Sequence, residues 1–345
     1  MDKTMPRYNA GIQRSKGLME IGAALYDTSL ARKGTRGGTK APQIDSRLGT
    51  NLSLKIAPRK DSPTDRGLGI SFGIGGSREN FLQVANKEID LLWINPNAPL
   101  ALAYKGLPPF AQPLPLRSLA VLPSWDAVVI AVHERTGITS IGQIAERRAK
   151  LRISTGETII PPYDEDGTMF AVNTVISAAG FSLADIRTWG GTIQTVSRPS
   201  HPNRSDAIDK GELDAIFDEG ILSWGNYAVE RGFRMLPIEG ALRDKVIAAG
   251  YDMIDITPAR IPGLPKTVPS LDFSGWPMIV HADMEDDVAY ALCEAIEMRK
   301  LVIPTDNYKP LDMAQICSGG EEVPLGAPLH PGAARFYRER GYLRS

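Results

Sequence analysis

The sequence predicts an α/β protein built from two similar lobes, and three observations support this prediction. The chain has 345 residues, more than twice the size of about 150 residues that is typical of one domain. Helical and strand patterns alternate along most of its length. A helix, a polar turn and a buried strand also occur twice, 124 positions apart. Alternation of this kind predicts largely parallel sheets.

The repeated unit is the most informative of these observations. In the first copy, a helix over 77–86 leads through the turn 87–90 into a strand that ends at Ile94. In the second copy, a helix over 205–210 stops at Gly211 and is followed by a strand that ends at Phe217. Each copy therefore predicts the core of one lobe.

The remaining elements are predicted in chain order from their apolar spacing. Buried strands are expected at 127–132, 152–154 and 274–280. One helix is expected to begin with a capping box at 140–143. Three further helices are expected over 168–179, 241–249 and 285–299. The proline-rich passage 258–269 is expected to be an irregular crossover.

These elements predict one lobe from residues 1–132 and 251–345 and a second lobe from residues 133–250. With two such lobes, the ligand is expected in the cleft between them, at strand C-termini and helix N-termini.

Composition and charge exclude several classes of protein. Apolar residues make up 43% of the chain and charged residues 23%, which is typical of globular proteins and not of disordered ones. The 39 basic and 40 acidic side chains nearly cancel, so neither nucleic acid nor an anionic membrane is expected as a partner. No stretch has the roughly 18 apolar residues of a membrane span. Two cysteines predict neither a disulfide framework nor a metal site.

The N-terminal region differs from the rest of the chain. The first 60 residues hold twelve Lys or Arg and four acidic residues. The segment 31–50 of this region is either a solvated loop or a rim that steers anions. The short apolar run at 18–25 is interrupted by Glu20, unlike an export signal. As written, the chain is expected in the cytoplasm.

Three patterns in the sequence match functional motifs only in part. The stretch 69–73 has the spacing of a nucleophile elbow, but its apolar residues continue without the required turn and helix. The four histidines are scattered and lack the spacing of metal ligands. The acidic run 164–166 is better explained by a helix N-terminus than by a calcium loop. No cofactor and no metal is therefore expected.

Two helix starts remain as candidate ligand sites. Gly75-Gly76-Ser77 and Gly167-Thr168 each place backbone N–H groups beside a hydroxyl at the start of a helix. Such ends bind carboxylates. Plain helix capping is the alternative explanation for each of them.

Four segments carry a resemblance to a known family. They are the helix start 75–80, the turns 87–90 and 211–214, and above all the C-terminal stretch 328–341, PLHPGAARFYRERG. In these segments the chain resembles the TAXI-family solute receptors of TRAP transporters, over about residues 75–345. The resemblance implies a type 2 periplasmic-binding-protein fold with an interlobe ligand cleft. It also implies a small organic acid or amino acid as ligand, a TRAP membrane component as partner, and relatives that are usually periplasmic.

The same resemblance implies which residues hold the ligand carboxylate. They are Gly75, Gly76, Ser77, Asn95, Asn97 and Thr168, with Gly167 at the same helix start. Residues 197–204 depart from the family pattern, and the additional Arg198, Arg204 and His201 are expected to reach a ligand anion.

Two acids follow the second repeated strand, where the family has small or apolar residues. For Asp218 and Glu219 the sequence leaves four alternative roles open. They are binding of an ammonium group, pairing with Arg198 or Arg204, proton transfer, and capping of the helix near Ser223.

Two functions follow from these alternatives. The first is reversible binding of a small carboxylate, because no complete catalytic constellation is visible. The second is a cytoplasmic enzyme on the same fold, a decarboxylase or other lyase that acts on a carboxylic acid. Its candidate catalytic residues are Glu219, Asp218 and His201.

Overall fold

The computed structural model describes residues 10–25, 28, 43–44, 52–56, 68–157, 167–305 and 309–344. Most of the basic segment 31–50 and all of the acidic run 164–166 lie outside the described residues. The described chain forms two compact units. We call residues 126–273 the inserted unit, and residues 9–125 together with 274–345 the flanking unit. Element numbers follow chain order.

The flanking unit contains a six-stranded sheet with the strand order β1-β2-β3-β4-β13-β5. Its strands are β1 Gln43–Ile44, β2 Leu52–Ile56, β3 Leu68–Gly75, β4 Leu91–Ile94, β5 Leu116–Leu122 and β13 Trp276–His281. Its helices are α1 Ala10–Ala24, α2 Arg78–Ala85, α3 Ala98–Lys105, α10 Asp286–Met298 and α11 Pro331–Glu339. A short 3₁₀ helix covers Gln315–Cys317.

The inserted unit contains a seven-stranded sheet with the order β11-β12-β6-β9-β7-β8, and β10 pairs with β6. Its strands are β6 Ala127–His133, β7 Arg152–Gly156, β8 Thr192–Val196, β9 Ala215–Asp218, β10 Phe233–Met235, β11 Met253–Ile256 and β12 Val268–Asp272. Its helices are α4 Gly142–Glu146, α5 Gly167–Ala178, α6 Leu183–Thr188, α7 Pro202–Asp209, α8 Ile221–Val229 and α9 Gly240–Ala248. A 3₁₀ helix covers Glu134–Thr136.

The predicted α/β class with two separate sheets is confirmed. The two copies of the repeat lie in different sheets, and the same aspartate contact locks each of them. Asp90 accepts hydrogen bonds from the backbone N–H and hydroxyl of Ser71, 2.7 and 2.8 Å away. Asp214 accepts from the backbone N–H and Nε of Arg152, 3.0 and 2.8 Å away. Each aspartate therefore ties the start of one strand to its parallel neighbour, β4 to β3 and β9 to β7.

The sheets are mixed, so the prediction of largely parallel sheets is wrong. Among the strands that the structure describes, three pairs are parallel: β3 with β4, β7 with β8, and β7 with β9. In the flanking unit, β13 lies between β4 and β5 and is antiparallel to both. In the inserted unit, β6 is antiparallel to β9. Alternation of helices and strands does not reveal a strand that returns from a distant part of the chain, which is how these antiparallel partners arise.

Three local predictions need correction. The proline-rich passage includes a strand, because Pro269 lies in β12 between β11 and β6. Helix α7 begins at Pro202, three residues before the predicted start. At α4, no side chain caps the N-cap residue Ile141, and the Gln143 side chain accepts from the N–H of Thr139 at 2.9 Å, so the capping box predicted at 140–143 is not formed.

Aromatic side chains fill the core of the flanking unit. Trp93 and Trp276 are buried edge to face, with ring centroids 6.4 Å apart. Helix α1 approaches Trp93 so closely that a Cβ at Gly17 would lie 2.3 Å from the ring. The C-terminal stretch 328–341 forms α11, whose buried Tyr337 hydroxyl donates to the Leu119 carbonyl at 3.0 Å. Among the described residues, we find no helix with the length and apolar character needed to cross a membrane.

Candidate functional site

Polar side chains gather at one edge of the sheet of the inserted unit. Strands β7 and β9 are parallel and end at this edge, while the antiparallel β6 begins there. Helices α7 and α8 also begin near the end of β9. We call the side chains collected in this way the strand-end cluster: Asp126, Ser154, Thr155, Arg204, Asp218 and Glu219. The carboxyl ends of parallel strands are where α/β proteins place their ligands.

A buried ion pair holds the cluster together. Arg204 is fully buried, and its guanidinium pairs with the equally buried carboxylate of Asp218. Its Nε donates to the Ser154 hydroxyl at 3.0 Å and its Nη1 to the Pro199 carbonyl at 3.0 Å. The Arg204 side chain thereby joins helix α7 to strands β7 and β9. A buried charge needs such partners because an unpaired one is strongly unfavourable.

The turn that carries Glu219 is fixed by its neighbours. Trp224, which is fully buried, donates its indole N–H to the Glu219 carbonyl at 2.7 Å. The Arg204 guanidinium lies 5.8 Å from the centroid of the same indole. Gly220 has a φ of +66°, and a Cβ there would lie 2.6 Å from Pro199. The Glu219 side chain is therefore presented, partly exposed, on a turn with little freedom to move.

Asp126 caps helix α8, a role that the sequence analysis did not predict. Its carboxylate accepts from the N–H groups of Ala127, Gly220 and Ile221 at 2.8, 2.9 and 3.2 Å. The side chains of Asp126 and Glu219 are also hydrogen-bonded to each other. Desolvation raises the pKa of Asp126 from 3.8 to about 6, although these hydrogen bonds oppose the rise. The only signal in the sequence is an aspartate immediately before a buried strand, which many proteins contain.

The stability of the protein is expected to depend on pH through Asp126. Between about pH 4 and pH 6, the folded chain keeps a proton that the unfolded chain releases. This contribution is therefore complete below the unfolded pKa and is lost as the pH rises through about 6. We expect Asp126→Asn to remove it, so that the difference in urea midpoint between wild type and variant changes across this range. A difference that stays constant across it would contradict the prediction.

Four other predicted residues belong to the inserted unit: Gly167, Thr168, Arg198 and His201. His201 caps α7, with its Nδ1 accepting from the Asn203 N–H at 3.1 Å. Arg198 is exposed. Gly167 and Thr168 begin α5, and both are partly exposed. The residues immediately before them are not among those the structure describes.

In the flanking unit, the chain's own asparagine occupies the predicted helix start. The Asn80 Oδ1 atom accepts from the N–H groups of Gly76 and Ser77, 3.1 and 3.2 Å away, and from the Ser77 hydroxyl at 2.9 Å. A Cβ at Gly75 would lie 1.9 Å from the same oxygen, and one at Gly76 would lie 2.8 Å from the Asn95 carbonyl. Both glycines are therefore required by close packing.

The two asparagines after β4 make backbone contacts. The Asn95 N–H donates to the Gly75 carbonyl at 3.4 Å. Asn97 is buried, with its Oδ1 accepting from the Gly326 N–H at 3.0 Å and its own N–H donating to the Ser274 carbonyl at 3.2 Å. Asn97 thus anchors a distant loop to the start of α3.

The charges of the strand-end cluster determine what it can attract. Arg204 and Asp218 neutralise each other inside the unit. The desolvated carboxyl group of Asp126 and the carboxyl group of the partly exposed Glu219 remain. This arrangement suits a cationic group or the transfer of a proton.

The chain is similar to known proteins both in sequence family and in fold. In structure, the chain is similar to PhnD1 from Prochlorococcus marinus in complex with methylphosphonate, with 11% identity and a TM-score of 0.36, covering 78% of this chain and 84% of that one. It is also similar to the periplasmic aliphatic sulphonate binding protein SsuA from Escherichia coli, with 14% identity, a TM-score of 0.32, and 64% and 60% coverage. A third similar structure is the substrate binding protein of an amino acid ABC transporter, with 11% identity, a TM-score of 0.27, and 64% and 69% coverage.

The family comparison covers most of the sequence. Residues 59–341 match the NMT1-like family. This range contains nearly all of the described elements, including the strand-end cluster and the C-terminal helix α11. The chain therefore belongs to the NMT1-like family.

Proposed function

We propose that the chain is a solute-binding protein of the TAXI–TRAP kind whose ligand is a small organic acid, and specifically an amino acid. The observation that carries this proposal is the strand-end cluster, in which a buried Arg204–Asp218 pair lies beside the carboxyl groups of Asp126 and the partly exposed Glu219. Polar groups held in place before the ligand arrives bind it with a smaller loss of conformational entropy. A TRAP membrane component is the partner that this proposal implies.

An amino acid complements the two kinds of group that the inserted unit offers. Its ammonium group pairs with the carboxylate of Glu219, beside Asp126. Its carboxylate binds the N–H groups at the start of α5, next to the Thr168 hydroxyl. In the flanking unit, the N–H groups of Gly76 and Ser77 can donate to a carboxylate only when the Asn80 side chain rotates away from them.

A thermal-shift screen tests this proposal. We expect amino acids to raise the unfolding midpoint of the purified protein, because binding to the folded state stabilises it. The panel should pair each amino acid with the acid that lacks its amino group. Glu219→Gln is expected to abolish the advantage of the amino acid over that acid.

The exposed Glu212 provides the matched control for this screen. Glu212→Gln removes the same charge from the same unit and should leave the shifts unchanged. No shift with any acid in the panel would refute the binding proposal. The role of Glu219 would be refuted if only the acids without an amino group raised the unfolding midpoint, and if they raised it equally in wild type and Glu219→Gln.

The contact between Asp126 and Glu219 favours a second candidate function, an acid–base lyase that acts on a carboxylic acid. A carboxyl group whose pKa is raised to about 6 can carry a proton near neutral pH and deliver it to a substrate. Turnover of the acids that bind would be followed by chromatography. This candidate requires that Glu219→Gln and Asp126→Asn abolish turnover while binding persists, and it fails if bound ligand is recovered unchanged from the wild type.

A further inference from the structure

A cavity lies at the edge of the inserted unit's sheet opposite to the strand-end cluster. The end of β6 and the starts of β7 and β9 meet there. The cavity has a volume of about 380 Å³, which is within the range of small-molecule sites. Its lining consists of Arg135, Thr136, Ile138, Arg147, Ala149, Lys150, Leu151 and Asp214.

The charges around this cavity are unbalanced. Three of its lining residues, Arg135, Arg147 and Lys150, are cations, and the one carboxylate is Asp214. That carboxylate already forms two salt bridges. Its Oδ1 lies 2.9 Å from Nη2 of Arg135, and its Oδ2 lies 2.8 Å from Nε of Arg152. Although burial opposes it, the hydrogen bonds from Arg152 and Arg135 lower the pKa of Asp214 to about 2. The positive charges of Arg147 and Lys150 therefore remain uncompensated by any other residue of the lining.

The two uncompensated cations are held at the mouth of the cavity. Nη1 of Arg147 donates to the Gly137 carbonyl at 3.1 Å, which leaves its other guanidinium donors for a ligand. The Lys150 stem lies beside Gly190, where a Cβ would be 3.5 Å from the lysine Cδ. Among the described residues, the structure gives the Lys150 ammonium no hydrogen bond or ion pair. Ile138 and Leu151, both buried, form an apolar floor.

We propose that this cavity is a binding site for a small phosphate-bearing anion with two or more negative charges. Guanidinium groups match phosphate oxygens in geometry, and lysine supplies a mobile point charge. The apolar floor accommodates the organic part of such a molecule. The site is separate from the strand-end cluster, so it lies beyond the proposed solute-binding function and does not depend on it.

Titration calorimetry with inorganic pyrophosphate tests this site. Low ionic strength is needed because salt screens exposed charges. We expect saturable binding to the wild type, weakened roughly tenfold by Lys150→Gln and by Arg147→Gln, since each substitution removes one charge-assisted contact. Lys150 has no described partner to lose, so its substitution should leave folding intact.

Lys266→Gln is the matched control, because Lys266 is an exposed lysine in the same unit but outside the cavity lining. It should bind pyrophosphate like the wild type, and Glu219→Gln should do the same. The proposal is overturned if pyrophosphate fails to bind, if binding is unchanged in Lys150→Gln and Arg147→Gln, or if Lys266→Gln weakens it equally.

Discussion

Replacing Arg204 with methionine is expected to lower the free energy of unfolding by about 3–5 kcal/mol. The substitution leaves the Asp218 carboxylate buried without its cation, and it removes the hydrogen bonds to Ser154 and the Pro199 carbonyl. An uncompensated buried charge is among the most destabilising changes that one substitution can make. Urea unfolding of the whole chain, followed by circular dichroism and by the combined fluorescence of its five tryptophans, measures the effect.

Two further variants show whether the ion pair is the cause. Arg198→Met removes an exposed arginine from the adjoining segment and should change stability by less than about 0.5 kcal/mol. The double variant Arg204→Met with Asp218→Leu should be more stable than the sum of the single effects predicts, because no buried charge then remains unpaired. Strictly additive effects would show that the two side chains act independently.

Replacing Trp224 with alanine is expected to cost a similar amount, about 3–5 kcal/mol, because it empties a fully buried indole site. It also removes the hydrogen bond to the Glu219 carbonyl. The turn that presents Glu219 then loses its support, so we expect amino-acid binding to weaken even at temperatures where the variant is folded. Chemical denaturation and the thermal-shift screen measure the two effects separately.

Trp224→Phe separates packing from hydrogen bonding. It keeps an aromatic ring and removes the indole N–H, so it should lower the free energy of unfolding by about 1 kcal/mol. Trp189→Ala supplies a control at a partly exposed tryptophan and should be clearly milder than Trp224→Ala. If all three variants had the same stability, burial of Trp224 would not be the source of the effect.

Much of the fold could be predicted because local sequence signals agree with the final structure. Ser77 and Asn86 flank α2 as expected, and Gly180, with a φ of +92°, follows α5. The paired aspartates Asp90 and Asp214 mark the two copies of the repeat through equivalent backbone contacts. Such signals operate within a few residues or within one repeat. The antiparallel placement of β13 could not be predicted in this way, because its partners lie far away in the sequence.

The candidate site was less accessible to sequence reasoning. The sequence places Asp218 and Glu219 at a strand end and offers Arg204 as a partner, and the structure pairs Arg204 with Asp218. Neither the complete burial of that pair nor the contact of Asp126 with Glu219 has a local signature. Asp126 precedes Glu219 by more than ninety residues, and only the antiparallel pairing of β6 with β9 brings them together. Likewise, the carboxamide that occupies the helix start at Gly76 and Ser77 is an ordinary asparagine in the sequence.

The position of β13 sets the order in which the protein can assemble during synthesis. Strands β4 and β5 emerge from the ribosome early, but the strand that joins them follows the whole of residues 126–273. The inserted unit is contiguous and can fold as soon as it has been translated. Until Trp276–His281 appears, both β4 and β5 present an unpaired edge, which is the feature that promotes aggregation of nascent chains. Chaperone demand during translation should therefore be concentrated on the flanking unit.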